Sequence, residues 1–171
     1  VGEILKRLNI TSYEFISNQY DHEVQANSVI KPLQGRGRVN GDAAVIRPIQ
    51  NAVKGVVLSS VLNPTYSELD SYKMAGACID GAIRAAVAAG ATIDTLALLD
   101  NFCWCSSNDP IRLGQLKQAV KACYDYSVLY GTPLISGKDS MFNDFKGFDA
   151  KGNPVFISIP PTLLVSSIGV I

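Results

Sequence analysis

The feature that most constrains the fold is a pair of long helical segments set between β-rich runs. Small and apolar residues recur at helical spacing from Leu69 to Gly90 and again from Ile111 to Leu129. A β-rich run from Thr92 to Leu99 lies between them. Because both types of element must bury an apolar face, this pattern predicts an α/β (α+β) two-layer domain with a mixed sheet. We expect the first segment to be the longest helix.

The remaining segments complete the sheet and define a less regular N-terminal part. Residues 1–20 are typical of a short helical pair, and residues 21–41 are typical of a loop rich in Gly and Pro. We therefore expect a single domain at 1–171, with N-terminal helices and a loop at 1–41 and an α/β core at 42–171. Further strands are predicted at Ala43–Pro48, Val53–Val61, Leu134–Ile135, Val155–Ile159 and Leu163–Ile171.

The charge balance and the hydrophobic pattern exclude two classes of partner. The 171 residues contain 15 Lys and Arg against 15 Asp and Glu, so there is no net positive field to attract nucleic acid. The sequence has neither a signal peptide nor an apolar run of the roughly 18 or more residues that a membrane span needs. We predict a soluble, cytoplasmic protein.

The four cysteines indicate reduced thiols. Only Cys103 and Cys105 are close in sequence, and the single histidine, His22, is far from both. This spacing does not match a structural zinc site. We interpret the cysteines as small, mostly buried hydrophobic residues of a cytosolic protein.

The segment Gly131–Ser140 has the strongest chemical pattern, because a short apolar strand runs directly into a glycine and then into charged and hydroxyl groups. Gly137 allows the backbone to approach an anion closely, and Lys138 can neutralise that anion. Asp139 and Ser140 can hold a magnesium ion or a phosphate oxygen. The segment predicts a phosphate-binding turn.

Two acidic residues, Asp100 and Asp139, follow predicted strands, and open α/β sheets place ligands at strand ends. Side by side, they could hold a magnesium ion or contact a nucleotide hydroxyl. The alternative is two exposed acids that only cap strand ends. His22 lies between Asp21 and Glu23 and is either a base or phosphate contact, or a loop histidine with local hydrogen bonds.

Six blocks of the chain, in the same order, resemble the phosphoribosylformylglycinamidine synthase family. The resemblance covers nearly the whole chain. It implies the N-terminal domain of the second of two halves that are each similar to aminoimidazole ribonucleotide synthetase. Such a domain has a mixed sheet with helices on one face, and its sheet edge forms half of a barrel on dimerisation. The blocks are YDHEVQ (20–25), GDAAVIRP (41–48), NPTYSELDSYKMA (63–75), LDNFCW (99–104), ISGKDS (135–140) and TLLVSSIGVI (162–171).

The resemblance also implies the reaction, the cofactors and the partners. The family converts formylglycinamide ribonucleotide to formylglycinamidine ribonucleotide with ATP, Mg²⁺ and ammonia derived from glutamine. The implied partners are the first-half domains of the same synthetase and a glutaminase subunit or domain. Since the family's catalytic base and histidine belong to the first half, we expect no catalytic residue in this chain and no activity from it alone.

Individual site residues follow from the matched motifs. By resemblance, Asp100 and Gly137 contact ATP, and Ser140 contacts the substrate. Lys138 stands where some members have a magnesium-binding asparagine, so any metal is expected at Asp139, and Lys138 and His22 are possible phosphate contacts.

The resemblance also bears on a second nucleotide site. Long single-chain members hold an auxiliary nucleotide through a magnesium-binding glutamate and asparagine on the long helix. Those positions correspond here to Gly81 and Ala85, which predicts that the auxiliary site is weakened or lost.

Two alternatives remain open from the sequence. The chain could be a structural or dimerisation domain that binds no nucleotide by itself and pairs with a second copy. It could also belong to another ATP-dependent member of the superfamily, such as a selenophosphate synthetase or a thiamine phosphate kinase. The YDHEVQ and LDNFCW blocks argue against that second alternative.

Overall fold

A computed structural model describes residues 1–7, 10, 14–19, 25–31 and 33–171 of the protein. The strands are β1 (Ser28–Ile30), β2 (Leu33–Gln34), β3 (Val39–Asn40), β4 (Ala43–Ile46), β5 (Val56–Leu62), β6 (Ala97–Cys103), β7 (Leu134–Gly137), β8 (Phe145–Phe148), β9 (Pro154–Ile157) and β10 (Thr162–Val170). The helices are α1 (Gly2–Leu5), α2 (Glu14–Ser17), α3 (Pro64–Ser67), α4 (Ser71–Ala88) and α5 (Pro110–Tyr130).

The core of the molecule is a six-stranded mixed sheet with the order β1-β4-β5-β10-β6-β7. Neighbouring strands are antiparallel except β6 and β7, which are parallel and are connected through α5. The pairs β2-β3 and β8-β9 form two small separate sheets. This arrangement confirms the predicted α/β class with a mixed sheet.

Capping residues mark the start of both long helices and the end of α5. The Asp70 carboxylate accepts a hydrogen bond from the Lys73 amide at 2.9 Å, and the Asp109 carboxylate accepts one from the Ile111 amide at 2.8 Å. Gly131 ends α5 in the left-handed conformation, with φ 67°. The prediction that the first helix is the longest is wrong: α5 has 21 residues and α4 has 18. Pro110, which suits the first helical position, starts α5 one residue before the predicted boundary.

The hydrophobic core lies between the sheet and α4, and α4 in turn packs against α5. Gly76 permits close helix packing, because a Cβ at this position would lie 2.5 Å from Cζ of Tyr126. Two buried serines join the sheet to α4. The Ser59 and Ser167 hydroxyls lie 2.8 Å apart, and both donate to the Ala82 carbonyl. The burial cost of these hydroxyls is therefore offset by hydrogen bonds.

The opposite face of the sheet presents an apolar surface, which we call the open face. Alternate residues of β5 and β10 point to it, since their neighbours in sequence face α4. Leu58 and Leu62 remain 38% and 49% exposed there. On the same face, the Ser60 and Ser166 hydroxyls form a cross-strand hydrogen bond of 2.8 Å.

The N-terminal third agrees with the prediction in one part and differs from it in another. The described part of residues 1–20 contains two four-residue helices, α1 and α2, in agreement with the predicted short helical pair. The loop predicted at 21–41 contains three short strands, and β1 joins the main sheet by pairing with β4. The sheet therefore extends into the segment that we had assigned to the loop, because backbone pairing with a distant strand outweighs the local Gly and Pro content. None of the helices in the described residues has the length and hydrophobicity that a membrane crossing requires.

Candidate functional site

The predicted site residues meet where β6 and β7 run side by side. Asp100 is paired with Gly137 in parallel register, and the pairing continues to a bridge between Cys103 and Ser140. Backbone hydrogen bonds hold this extension: the Lys138 amide donates to the Asp100 carbonyl at 3.0 Å, and the Ser140 amide donates to the Phe102 carbonyl at 2.8 Å. The ISGKDS and LDNFCW blocks therefore form one continuous two-stranded unit.

Two predicted strand boundaries are wrong in this unit. A short 3-10 helix occupies Ile93–Thr95, so β6 starts at Ala97 rather than Thr92. The Thr95 hydroxyl bonds to the Thr92 carbonyl at 3.0 Å, a local contact that competes with extended structure. At the other end β6 continues through Cys103, because β10 and the segment after Gly137 pair with it. Asp100 therefore lies within the strand and not after it.

Gly137 makes room for the Asp100 carboxylate. A Cβ at position 137 would lie 2.8 Å from each of the two Asp100 carboxylate oxygens and 3.1 Å from their carbon. Gly137 is not among the residues with positive φ, so its role is close approach and not a special turn. The predicted glycine turn is instead the last residue of a strand, covered by a carboxylate.

The surroundings of Asp100 disfavour the ionised form of its carboxyl group. Burial raises the pKa of Asp100, and repulsion by the neighbouring Asp139 carboxylate raises the pKa further. The negative charge also acts on Cys123 of α5. Burial is the main reason that the pKa of its thiol is raised to about 12, and the Asp100 charge is the second. The predicted proximity of Asp100 and Asp139 is thus present, and no cation of the described chain neutralises the pair.

Lys138 and Ser140 lie on the other side of the strand. Successive side chains of an extended segment alternate in direction, so Lys138 and Ser140 point away from the face that Gly137 and Asp139 share with Asp100. The Lys138 ammonium donates a hydrogen bond to the Ser140 hydroxyl. The bridge to Cys103 places Ser140 on the open face of the sheet.

The structure identifies a positioning residue that the sequence did not suggest. The Asn143 side-chain amide donates to the Ser140 carbonyl at 2.9 Å and to the Trp104 carbonyl at 3.3 Å. Trp104 is fully buried, and its indole donates to the Arg112 carbonyl at 3.0 Å. These bonds fix the backbone of Ser140 against the core. An asparagine in a turn gives no sequence signal for such a long-range contact.

The metal prediction depends on only two carboxylates. Among the described residues, no group of three or more His, Cys, Asp or Glu side chains could hold a metal ion. Asp100 and Asp139 nevertheless suit Mg²⁺, which binds proteins through one or two carboxylates and takes phosphate oxygens and water for the rest. His22 lies outside the described residues, so its role as a phosphate contact stays a prediction.

Gly81 and Ala85, which the resemblance assigns to the auxiliary magnesium site, line a groove of about 390 Å³ between α4 and β5. Asp42 is the only carboxylate among the residues that line it in the described part of the chain. The Arg84 guanidinium, also in this groove, donates to Asp80 at 2.6 Å. Gly81 and Ala85 offer no side-chain ligand to a metal in this groove, and the loss of the auxiliary site stays a prediction.

Comparison with known proteins identifies the family. The sequence profile described as "AIR synthase related protein, N-terminal domain" matches residues 40–159, which is more than half of the chain. Among curated proteins, phosphoribosylformylglycinamidine synthase subunit PurL of Methanococcus aeolicus is 31% identical over 99% of this chain. The same subunit from Deinococcus radiodurans is 32% identical over 99% of the chain. In both cases the chain spans 21% of the relative's length.

Solved structures share the fold. The chain superimposes on PurLQS from Thermotoga maritima with a TM-score of 0.73 at 24% identity, covering 94% of this chain and 24% of that one. T. maritima PurL complexed with FGAR gives a TM-score of 0.65 at 25% identity, covering 91% of this chain and 22% of that one. The profile covers more than half of the chain, and the chain therefore belongs to the family of AIR synthase related proteins, as their N-terminal domain.

Proposed function

We propose that this chain is the part of a formylglycinamidine ribonucleotide synthase that contributes ATP and substrate contacts. The observation that carries the proposal is the unit of paired β6 and β7, in which Asp100 is paired with Gly137 and Ser140 follows three residues later, opposite Cys103. The relatives that match almost the whole of this chain are PurL subunits, and structures of T. maritima PurL have been determined with ATP and with FGAR. The chain corresponds to the N-terminal domain of the second synthetase half.

The complete enzyme joins a formamide to ammonia at the expense of ATP. The formamide oxygen attacks the γ-phosphorus of ATP and ADP leaves, so the oxygen becomes part of a good leaving group. Ammonia then adds to the carbon, and inorganic phosphate departs to give the amidine. Positioning and electrostatic stabilisation dominate such chemistry. The general base comes from the first half of the synthetase, and the ammonia comes from a glutaminase subunit or domain.

The negative pair Asp100 and Asp139 supports a nucleotide site that includes Mg²⁺. The raised pKa of Asp100 reflects burial and like-charge repulsion that a bound cation relieves. Mg²⁺ neutralises phosphate charge when it is bound with ATP. Asp139 is the expected magnesium ligand, and Asp100 contacts the nucleotide from the buried side of the strand.

Isothermal titration of the chain with MgATP tests the proposal against a purely structural role. We expect measurable binding that disappears in Asp100→Ala. Asp94→Ala is a matched control, since Asp94 is an exposed acid in the 3-10 helix that precedes β6. A lack of heat with both the wild type and Asp100→Ala would contradict nucleotide binding by this chain.

A second part of the proposal concerns the open face. Its exposed leucines and cross-strand serine pair suit a second sheet of the same kind, such as the equivalent domain of the first half. In its absence we expect two copies of the chain to pair across this face. Light scattering should give a dimer for the wild type and a monomer for Leu58→Glu. A monomeric wild type at high concentration would contradict this pairing.

A further inference from the structure

Around the end of β7, a pair of carboxylates and an ammonium of opposite charge lie on opposite sides of one strand. On the side of the sheet that faces the helices, Asp100 and Asp139 repel each other. On the open face, the Lys138 ammonium contacts only the Ser140 hydroxyl among described residues and has no carboxylate within ion-pair distance. Lys138 is the immediate chain neighbour of Asp139, and its amide donates to the Asp100 carbonyl.

The strand geometry explains why these charges do not neutralise each other. The register aligns Gly137 with Asp100 and Ser140 with Cys103, so the pairing is continuous across Lys138 and Asp139. In a continuous extended segment, neighbouring side chains leave on opposite faces. An ion pair between Lys138 and Asp139 would require the backbone to abandon its hydrogen bonds to β6.

We infer that Lys138 is a specificity-determining residue that, with Ser140, binds a phosphate oxygen of the ribonucleotide substrate and not of ATP. This inference rests on the proposed function. An exposed ammonium next to a hydroxyl donor suits a phosphate monoester, while the carboxylate pair suits the divalent cation of MgATP. The strand therefore separates an anion subsite on the open face from a cation subsite on the helix-facing side.

The inference is also compatible with a magnesium ion at the carboxylate pair. The ammonium at position 138 lies on the open face with Ser140, away from the carboxylate pair. A magnesium ion at Asp100 and Asp139 therefore does not meet this positive charge directly. The metal and the lysine are compatible because they occupy different sides of the strand.

Titrations of the 171-residue chain with two ligands test this assignment. Formylglycinamide ribonucleotide and MgATP are titrated separately into the wild type, Lys138→Met and Lys138→Arg. We expect Lys138→Met to weaken ribonucleotide binding by about tenfold or more, the typical value of a charged hydrogen bond. MgATP binding should stay within about twofold, and Lys138→Arg should retain most of the ribonucleotide affinity. Lys151→Met is the matched control, because Lys151 is an exposed lysine in the turn between β8 and β9.

The outcomes separate this inference from the proposed function. Wild-type chain that binds no MgATP contradicts the proposed function. MgATP that binds normally, together with ribonucleotide binding that is undetectable in the wild type or unchanged in Lys138→Met, overturns the inference alone. A loss of MgATP affinity in Lys138→Met with unchanged ribonucleotide affinity also overturns it, because the lysine would then serve the nucleotide phosphates.

Discussion

Replacing Gly137 with alanine should destabilise the protein through a single neighbour, the Asp100 carboxylate. The new Cβ would lie 2.8 Å from both carboxylate oxygens, about 0.6 Å inside the 3.4 Å at which ordinary contact begins. Overpacking of this kind costs about 1–3 kcal/mol of unfolding free energy. Against this cost stands the gain of about 0.5–1 kcal/mol from replacing glycine inside a strand. We expect a net loss of about 0–2.5 kcal/mol, centred near 1 kcal/mol.

A double-mutant cycle with Asp100→Ala isolates the clash. The three atoms nearest to the new Cβ all belong to the Asp100 carboxyl group, so the clash disappears when that group is removed. In the Asp100→Ala background, Gly137→Ala should therefore stabilise the protein by about 0.5–1 kcal/mol. The expected coupling between the two sites is about 1–3 kcal/mol.

Urea unfolding of the four proteins at neutral pH measures this coupling through the midpoint and slope of each transition. Gly114→Ala provides a control, because Gly114 lies on α5 with nothing within 4 Å of its added Cβ. That substitution should stabilise the protein by about 1 kcal/mol. An equal effect of Gly137→Ala in both backgrounds would refute the claim that Gly137 makes room for Asp100.

Three further predictions concern the carboxylate pair and the helices. The folded state raises the pKa of Asp100 above its ordinary value of 3.8, so between these two pKa values the folded protein retains a proton that the unfolded chain has lost. The free energy of unfolding should therefore fall as the pH rises from 3.8 through the raised pKa. Urea midpoints measured across pH should show this decrease in the wild type and not in Asp100→Asn. The same pH dependence in both proteins would contradict the prediction. Gly76→Ala should cost about 1–3 kcal/mol by displacing the Tyr126 ring, and a thermal midpoint equal to that of the wild type would argue against this packing. Asp109→Ala should lower the free energy of unfolding by about 1 kcal/mol, and Asp109→Ser should retain most of the wild-type value. Equal stability of Asp109→Ala and the wild type would contradict a role for this cap.

The sequence predicted the parts of the fold that depend on local rules. The helical segments predicted at Leu69–Gly90 and Ile111–Leu129 agree within two residues with α4 and α5. The juxtaposition of Asp100 and Asp139 was also predictable, since a parallel pair of strands joined by a helix places corresponding residues side by side.

Other features depend on contacts between distant residues and could not be predicted from local pattern. The extension of β6 to Cys103 requires Ser140 as a partner, 37 positions later in the sequence numbering. β1 forms in a segment rich in Gly and Pro because β4 pairs with it. The role of Gly137 becomes visible only with the position of the Asp100 carboxylate, and the opposite orientation of Lys138 follows from the continuous register.

Chemical-shift mapping of the isotopically labelled chain with MgATP tests the central claim most directly. We expect the largest amide perturbations at Asp100, Gly137 and Asp139, where the carboxylate pair lies against the glycine. Perturbations concentrated instead around Gly81 and Arg84 would place the nucleotide in the groove between α4 and β5 and contradict binding at the carboxylate pair.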